Sequence, residues 1–274
     1  MISREWLYED DAFLGLPWNR SIIDEWGKVM AWHPLNSVAA PVSSLAELGK
    51  VTMHAEMNFV SNDTERYELM YRGHDSNLFL VAKQLIGLDM RKVEVALKKM
   101  LAICRAHFSG TKSANEIYFL MRHAGLPSHI IDWSQSLEVA LWFAIHSTDG
   151  SLKKDNASLW VLRPTIGKKD RVATFYPADC MACERSKRQK GFAYFLHFTT
   201  TDDGVLTMLP MESDPIYGPR LLRIPLQGDY SAMERELCER DPSIAEIAKA
   251  ESPLPENVVE KCRKVFQTIT KKKA

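Results

Sequence analysis

The chain has 274 residues, of which 46% are hydrophobic and 26% are charged, the composition of an ordinary globular protein. Its apolar content is sufficient for a core, so we expect folding without disulfide bonds or a structural metal. Lysine and arginine together number 35, as do aspartate and glutamate, and this balance argues against a broad surface for duplex nucleic acid without excluding a local basic groove.

Cysteine usage and the apolar runs indicate a cytoplasmic protein. The five cysteines are odd in number and irregularly spaced, which favours reduced thiols. The pair Cys180 and Cys183 has half of a zinc-site spacing, but no second pair follows it. The N-terminus lacks the pattern of a secretory signal. The longest apolar run, residues 139–145, is far shorter than the roughly 20 residues that a membrane span needs.

Residues 1–65 are rich in aromatic and turn-forming residues and predict an irregular or partly helical layer, with a weak helical pattern at 21–30. Residues 68–73 predict a short strand that ends in a turn. Amphipathic or apolar patterns then predict three helices, at 92–107, 115–123 and 137–145. Gly125 is a candidate C-terminal cap of the second helix, and Ser134 or Ser136 a candidate N-cap of the third, buried one.

After Gly150 the pattern becomes that of strands. We predict strands at 158–162, 172–176, 192–199, 205–209 and 221–226, with a hairpin turn at 201–204. A last helix follows Pro253. Helices in the first half and antiparallel strands in the second predict an α+β fold, with the helical N-terminal half packed on an antiparallel β-sheet.

Two segments carry residues suited to chemistry. In Tyr71-Arg72-Gly73, the arginine can present its planar fork to a phosphate or carboxylate, and the glycine lets a ligand approach the backbone. The alternative is an ordinary surface arginine at a strand end. Residues 123–134 hold two imidazoles, a carboxylate, a tryptophan and two hydroxyls directly before a buried helix. The alternative is that Asp132 and the serines only cap helices and His123 belongs to the core.

These segments resemble the FRG domain, named for its Phe-Arg-Gly signature. That pattern has an aromatic-Arg-Gly, then a His-aromatic-Gly-Leu-Pro-Thr-Arg-Leu-Leu-Asp-Trp-Thr stretch, then a helix that ends in Ala-Leu-aromatic-Phe-Ala. The matching positions are Tyr71, Arg72, Gly73, His123, Gly125, Leu126, Pro127, Asp132, Trp133, Ala140, Leu141, Phe143 and Ala144. A third family segment is met in part by Arg185, Gln189, Gly191 and Phe192.

Four positions depart from that pattern: Ala124, Ser128, His129 and Ser134. The serines replace threonines and keep a hydroxyl. His129 stands where an arginine is usual, which weakens the case for phosphate binding there, because a titratable ring replaces a permanent cation.

The order of features is also similar to the ADP-ribosyltransferase superfamily, and this resemblance implies a split antiparallel sheet with NAD, as substrate, in its cleft. Arg72 would hold an NAD phosphate or the nicotinamide ribose, and Tyr71 or Trp133 would stack on nicotinamide. Gly73 and Ser128 would line the binding site. Gln189 would hydrogen-bond the ribose hydroxyls. The base that removes the acceptor's proton would be His123, His129 or Asp132, which also could orient either histidine.

The resemblance implies an NAD-dependent ADP-ribosyltransferase, either a toxin or an antiphage-defence effector, whose acceptor is a nucleic acid or a protein. A neutralising partner protein, or antitoxin, is expected with such an enzyme. The alternative is a non-catalytic module that binds a nucleotide or nucleic acid. The domains implied are an N-terminal layer (1–65), an FRG core (66–230) and a C-terminal helical extension (231–274).

The three signature segments are expected to meet around one cleft. The strand ending at Arg72 would lie near the strand beginning at Phe192, and a loop at 123–134 would cover one end, which brings Gln189 within reach of Arg72. The basic stretch 185–190 is either a solvated face or a guide for phosphates.

Overall fold

The structure is a computed structural model. The residues it describes are 39–60, 69–74, 83–85, 88–147, 150–155, 157–162, 176–177, 191–195, 198–200, 206–208, 211, 221–247 and 252–271. The predicted helix at 21–30, most of the strand at 172–176, the turn at 201–204 and the residues Cys180, Cys183, Arg185 and Gln189 lie outside them.

The described residues include six α-helices, two short 3-10 helices and eight strands. The α-helices are α1 (Leu45–Val60), α2 (Met90–His107), α3 (Ala114–His123), α4 (Leu137–Ile145), α5 (Tyr230–Arg240) and α6 (Glu256–Thr270); the 3-10 turns are Lys83–Leu85 and Ile244–Ile247. The strands are β1 (Met70–His74), β2 (Ile130–Ser134), β3 (Ser158–Leu162), β4 (Tyr176–Pro177), β5 (Gly191–Phe195), β6 (Phe198–Thr200), β7 (Leu206–Met208) and β8 (Leu221–Pro225).

The helix boundaries follow from capping side chains that are legible in the sequence. Ser113 and Glu116 form a reciprocal capping box at the start of α3. The Ser136 hydroxyl accepts a hydrogen bond from the Val139 backbone N–H and begins α4. At the end of α3, Gly125 has a positive φ of 72°. The Leu126 N–H donates to the Met121 carbonyl, as expected for a glycine-terminated helix.

Six strands form one sheet in the order β4-β5-β2-β1-β3-β8, and β6 and β7 form a separate pair. All of these pairings are antiparallel. β1 and β3 are paired along their whole length, from Met70↔Leu162 to His74↔Ser158. In contrast, β1 and β2 share the single registered pair Tyr71↔Ser134. β1 and β2, which are central in the sheet, are therefore only sparsely paired with each other.

Helices cover both faces of this sheet, which explains why all five residues of β3 are buried. Leu159 and Val161 point to a core that includes α4 and α5. Trp160 and Leu162 point to a second core that includes α2, α3 and α6. The alternation of a strand thus assigns each residue of the central strands to one of two helical layers.

The free side of β8 is covered by residues that precede α1. The Ala39 N–H donates to the Arg223 carbonyl at 2.8 Å, and Val42 forms a parallel bridge with Leu226. An edge strand with unpaired backbone groups invites association with other chains, so this segment closes an exposed edge. At the opposite end of the chain, α6 packs against α2, where the thiols of Cys104 and Cys262 are 3.7 Å apart.

The α+β class and the three central helices are confirmed, each helix within two residues of the predicted start, as are the strands at 158–162 and near 68–73 and 221–226. Two predictions were wrong. Residues 130–134 form β2 inside the sheet instead of a loop at its end. The strand predicted at 192–199 is divided into β5 and β6. None of the described helices is long and apolar enough to cross a membrane.

Candidate functional site

The register of the sheet places Arg72 in a row of large side chains. Arg72 of β1 is the direct partner of Trp160 in β3, and Trp160 is the direct partner of Arg223 in β8. Directly paired residues of a sheet point to the same side. Trp133 of β2 stands on the other flank of Arg72, one residue before the Ser134 that pairs with Tyr71. Two arginines and two tryptophans therefore alternate across one face of the sheet.

The next registered positions add smaller polar groups to this face. His74 of β1 pairs with Ser158 of β3, and the Arg223 Nε donates to the Ser158 hydroxyl at 3.3 Å. His74 and Ser158 are buried, whereas Arg72 and Arg223 are half-buried. We call the set Arg72, His74, Ser158, Trp160 and Arg223 the arginine face.

Arg72 is held where the sheet is weakly joined. Its Nη1 donates to the backbone carbonyl of Asp132 in β2. The Asp132 carboxylate in turn lies 3.0 Å from the Nη2 of Arg122, the penultimate residue of α3. Because this contact is to a backbone carbonyl, it ties the guanidinium of Arg72 to the course of β2.

Two buried indole N–H groups lie beside the arginines. Trp133 is 1% exposed and Trp160 is 7% exposed. The Nε1 atoms of both are buried, and neither has a hydrogen-bond acceptor in the part of the chain that the structure describes. A buried donor without an acceptor is uncommon in a folded protein and requires an explanation. Permanent cations and N–H donors together suit an anionic ligand.

Gly73 and Tyr71 belong to the opposite face. A Cβ added at Gly73 would overlap the backbone of Ala140 and Ala144 and lie 2.8 Å from the carbonyl carbon of Phe143. The close neighbour of Gly73 is therefore helix α4, and our expectation that this glycine admits a ligand was wrong. Tyr71 packs against the core that contains α4. A ligand held by Arg72 thus cannot stack on Tyr71 on the same face of β1.

His129 is enclosed against α3. Its ring meets the ring of Tyr118 edge-on, with the two centroids 5.6 Å apart, and the side chain is 4% exposed. Burial lowers the pKa of His129 from 6.5 to about 4 and raises the pKa of the Tyr118 hydroxyl well above its ordinary value. His129 is accordingly a neutral imidazole at physiological pH.

Three other predicted residues also lie in the interior. His123, the last residue of α3, is 7% exposed, and Ser128 is 1% exposed. The Ser128 hydroxyl accepts a weak hydrogen bond, 3.5 Å long, from the Ile130 N–H. Trp133 belongs to the core of α2, α3 and α6, so its ring is enclosed and not open for stacking.

Asp132 does not cap α4, because Ser136 does so. Its carboxylate forms an ion pair with Arg122, and the prediction that it orients a histidine stays a prediction. The sequence position of Asp132 within an Asp-Trp-Ser stretch resembles a helix start. Its place inside β2 could be found only from the strand pairing with β5, where Asp132 is opposite Ala193.

The structure brings two of the three signature segments together. β1 with Arg72 and β2 with Asp132 and Trp133 are neighbours. The strand that contains Phe192 is one strand further away, since β2 lies between β1 and β5. Gln189 is outside the described residues, so its predicted proximity to Arg72 stays a prediction.

The residues of the arginine face other than Arg72 were not identified from the sequence. His74 follows the aromatic-Arg-Gly motif directly, and Arg223 and Ser158 are the polar residues of otherwise apolar strands. A polar residue in a buried strand was an available signal, but only the register shows that these residues share one face. Over the described residues, no three histidine, cysteine or acidic side chains cluster in a way that could hold a metal ion.

Comparison with known proteins identifies one family. Residues 67–153 match the FRG domain, and this range contains β1, β2 and helices α2 to α4. No curated protein and no solved structure matches the chain. The stretch that carries Arg72, Gly73, Asp132, Trp133 and α4 therefore matches the FRG domain.

Proposed function

We propose that this protein is an NAD-dependent ADP-ribosyltransferase that binds the dinucleotide on the arginine face. The observation that carries the proposal is the placement of Arg72. Its guanidinium is oriented by the Asp132 carbonyl, and it shares a row with Trp160 and Arg223. A guanidinium is a planar fork with five donors, whose geometry matches that of phosphate oxygens.

The shape of the sheet also supports this proposal. β1 and β2 share one registered pair, whereas β1 and β3 share their full length. Sparse pairing between two central strands is what a split, ADP-ribosyltransferase-like sheet that accepts NAD would have. The arginine face lies on β1, β3 and β8, on one side of this sparse pairing.

The proposed reaction exchanges one bond at the nicotinamide ribose. The bond between the anomeric carbon and the nicotinamide nitrogen breaks, and nicotinamide leaves with the bonding electrons. The positive charge then lies on the ribose. A nucleophile of the acceptor forms the new bond to the anomeric carbon and loses its proton to a base. Binding through the phosphates would hold the ribose at a fixed position during this exchange.

We propose that the base is His123, His129 or Asp132, with His74 as a further candidate because it is an imidazole on the arginine face. Burial lowers the pKa of His129 to about 4, which makes this imidazole a weak base, and the Asp132 carboxylate is paired with Arg122. His74, His123 and His129 are all buried to a similar degree. Gln189 would be a ligand of the ribose hydroxyls.

We further propose that the acceptor is a nucleic acid or a protein and that the enzyme is a cytoplasmic toxin or antiphage-defence effector with a neutralising partner protein. The similarity of the order of features to that of the ADP-ribosyltransferase superfamily supports this part of the proposal. The arginine face gives no information on the acceptor.

The test is release of nicotinamide from NAD by the purified protein. We expect release by the wild-type chain and its loss in Arg72→Lys, because an ammonium is a point charge and does not reproduce the fork. Arg72→Ala should weaken NAD binding by about 2–5 kcal/mol. Arg240→Gln, at an exposed position of α5, is the matched control for loss of one positive charge. Full activity of Arg72→Lys would refute the role of Arg72.

A second function is favoured by the same contacts. The proposed bases His129 and Asp132 are held by α3, one by burial and the other by an ion pair, as is common in a structural core. A non-catalytic module that binds a nucleotide or nucleic acid would need only the arginine face. Saturable binding of NAD or ADP with no nicotinamide release over many hours would favour this second function.

A further inference from the structure

The interface between α2 and α6 contains two cysteines that the proposed function does not use. Cys104 lies in the last turn of α2 and Cys262 in the second turn of α6, and both residues are 0% exposed. Their sulfur atoms are 3.7 Å apart, which is direct contact. The third cysteine among the described residues, Cys238 of α5, is half-buried. Two thiols from distant parts of the chain are thus enclosed together between two helices.

The contact between these sulfurs is close enough for a disulfide bond. The bonded distance is about 2.05 Å, so the two sulfurs must approach each other by roughly 1.6 Å, or about 0.8 Å each. Packed helices make shifts of about this size without losing their packing. The bond therefore requires no rearrangement of the fold.

The two thiols are not equivalent. The Cys262 S–H donates to the Met100 carbonyl, 3.8 Å from its sulfur, which leaves the same sulfur as the acceptor of the Cys104 S–H. The hydrogen bond from Cys104, together with the charge of Lys261, lowers the pKa of Cys262 against the opposing effect of burial. The same hydrogen bond and burial raise the pKa of Cys104. Cys262 is therefore the sulfur that forms a thiolate more readily.

An oxidant reaches these buried sulfurs when α6 separates from α2. The backbone hydrogen bonds of a helix are internal, so this separation breaks side-chain packing and leaves the strand pairings of the sheet intact. Among the described residues, no side chain caps the start of α6 at Pro255. Local opening of a terminal helix costs less free energy than opening of the central strands.

We propose that Cys104 and Cys262 form a disulfide bond when the protein meets hydrogen peroxide, and that this bond locks α6 onto α2. The Cys262 thiolate attacks one peroxide oxygen, the O–O bond breaks, and the other oxygen takes up a proton and leaves as water. The Cys104 sulfur then attacks the sulfur of the resulting sulfenic acid, and the S–O bond breaks with release of a second water. The two thiols lose two electrons in total, and the peroxide gains them.

The bond would join positions 158 residues apart and enclose β2 to β8 in one covalent loop. A cross-link that closes a long loop constrains the unfolded chain strongly, so it should stabilise the folded chain. The inference is independent of the proposed function, because neither cysteine belongs to the arginine face.

The experiment treats the full chain with increasing hydrogen peroxide until Cys238 is oxidised, then alkylates the remaining thiols and maps linked peptides by mass spectrometry. We expect a peptide that joins Cys104 to Cys262. The melting temperature should rise by roughly 5–10 °C and return to its original value after reduction with dithiothreitol. Hydrogen exchange of the α6 amides should slow by at least about tenfold, because the bond prevents separation of the helix.

The matched variants are Cys262→Ala, which should lose both the linked peptide and the rise in melting temperature, and Cys238→Ala, which should keep both. If Cys262→Ala is unfolded, Cys104→Ala is used in its place, and peptide mapping of the wild type needs neither variant. Linkage of either cysteine to a different thiol, or no linkage once Cys238 is oxidised, overturns the inference. So does a bond that leaves melting and exchange unchanged, or a rise in melting temperature that persists in the folded variant.

Discussion

The two faces of β1 have different tasks, although the residues that define them are adjacent in sequence. On one face, Gly73 brings the strand against the backbone of α4, where a Cβ would overlap Ala140 and Ala144. On the other face, Arg72 extends into a row with Trp160 and Arg223. The first face is packed directly on α4, and the second, on the side of α2, α3 and α6, carries two half-buried cations.

This difference teaches how to interpret a short motif. Tyr-Arg-Gly looks like one functional unit, but strand alternation divides it between two environments. Tyr71 and Gly73 bind the strand to α4, and Arg72 alone faces the candidate site. Variants on the α4 side should therefore change stability, whereas variants on the arginine side should change binding.

The largest effect is expected for Gly73→Ala. The new methyl group would overlap the α4 backbone, so the strand and the helix must move apart, at a cost of about 3 kcal/mol or more. Denaturant unfolding measures it. Gly49→Ala is the control, because Gly49 is an exposed position of α1 with nothing near the place of an added Cβ. That control should gain about 0.5–1 kcal/mol. A Gly73→Ala protein as stable as the wild type would contradict the close packing.

A somewhat smaller effect is expected from pH, through His129. The unfolded chain takes up a proton at this residue near pH 6.5 and the folded chain near pH 4. Unfolding therefore binds protons in this window, and stability falls as pH decreases from 6.5 to 4, by up to about 3 kcal/mol. The free energy of unfolding across this range tests the sign.

The matched variants for the pH experiment are His129→Leu and His107→Gln. His129→Leu should flatten the decrease in stability, because a leucine cannot titrate. His107→Gln changes an exposed histidine at the end of α2 and should leave the decrease as it is in the wild type. A wild-type slope retained in His129→Leu would show that other groups cause it.

Asp132→Asn should have a more moderate effect and sharpens the comparison at the arginine side. It removes the half-buried ion pair with Arg122, at a cost of about 1–2 kcal/mol, between the values for exposed and buried pairs. Nucleotide affinity should be retained, because the hydrogen bond from Arg72 to the backbone carbonyl of residue 132 does not depend on the side chain of that residue. Loss of nucleotide affinity in a stable Asp132→Asn protein would show that the Asp132 carboxylate contributes to binding.

The smallest effect is expected for Ser136→Ala on the α4 side. The Ser136 hydroxyl accepts from the Val139 N–H at 3.2 Å, and loss of such an N-cap costs about 1 kcal/mol. Ser136→Asn should restore the cap to within a few tenths of a kcal/mol. Thermal melts of the two variants measure the difference, and equal melting temperatures would mean that another group caps the helix.

Sequence reasoning found the helices because their signals are local. The Ser113–Glu116 capping box, the apolar run of α4 and the glycine after α3 each act over a few residues. It placed 130–134 wrongly because an Asp-Trp-Ser stretch before a helix resembles a cap region. The pairing of β2 with β5 across about 60 residues overrides that local signal.

The candidate site was only partly predictable for the same reason. Arg72 was found because it lies in a recognisable motif. Trp160 and Arg223 lie in the same row as Arg72 only because of the strand register. No spacing in the sequence reveals that residues 72, 160 and 223 lie side by side on three adjacent strands. The role of Gly73 was misassigned because the sequence shows that a close approach is needed but not which partner approaches.

Because β1 is paired with β3 along its whole length, the stretch that matches the family does not include every strand that β1 needs in order to fold. The FRG match ends at residue 153, and β3 begins at Ser158, so a fragment limited to 67–153 would leave one whole side of β1 without its partner strand. The arginine face is divided in the same way, because Arg72 lies within the matched range and Trp160 and Arg223 lie after it. Substitutions in β3 and β8 can accordingly change the arginine face while every residue of the signature is left intact.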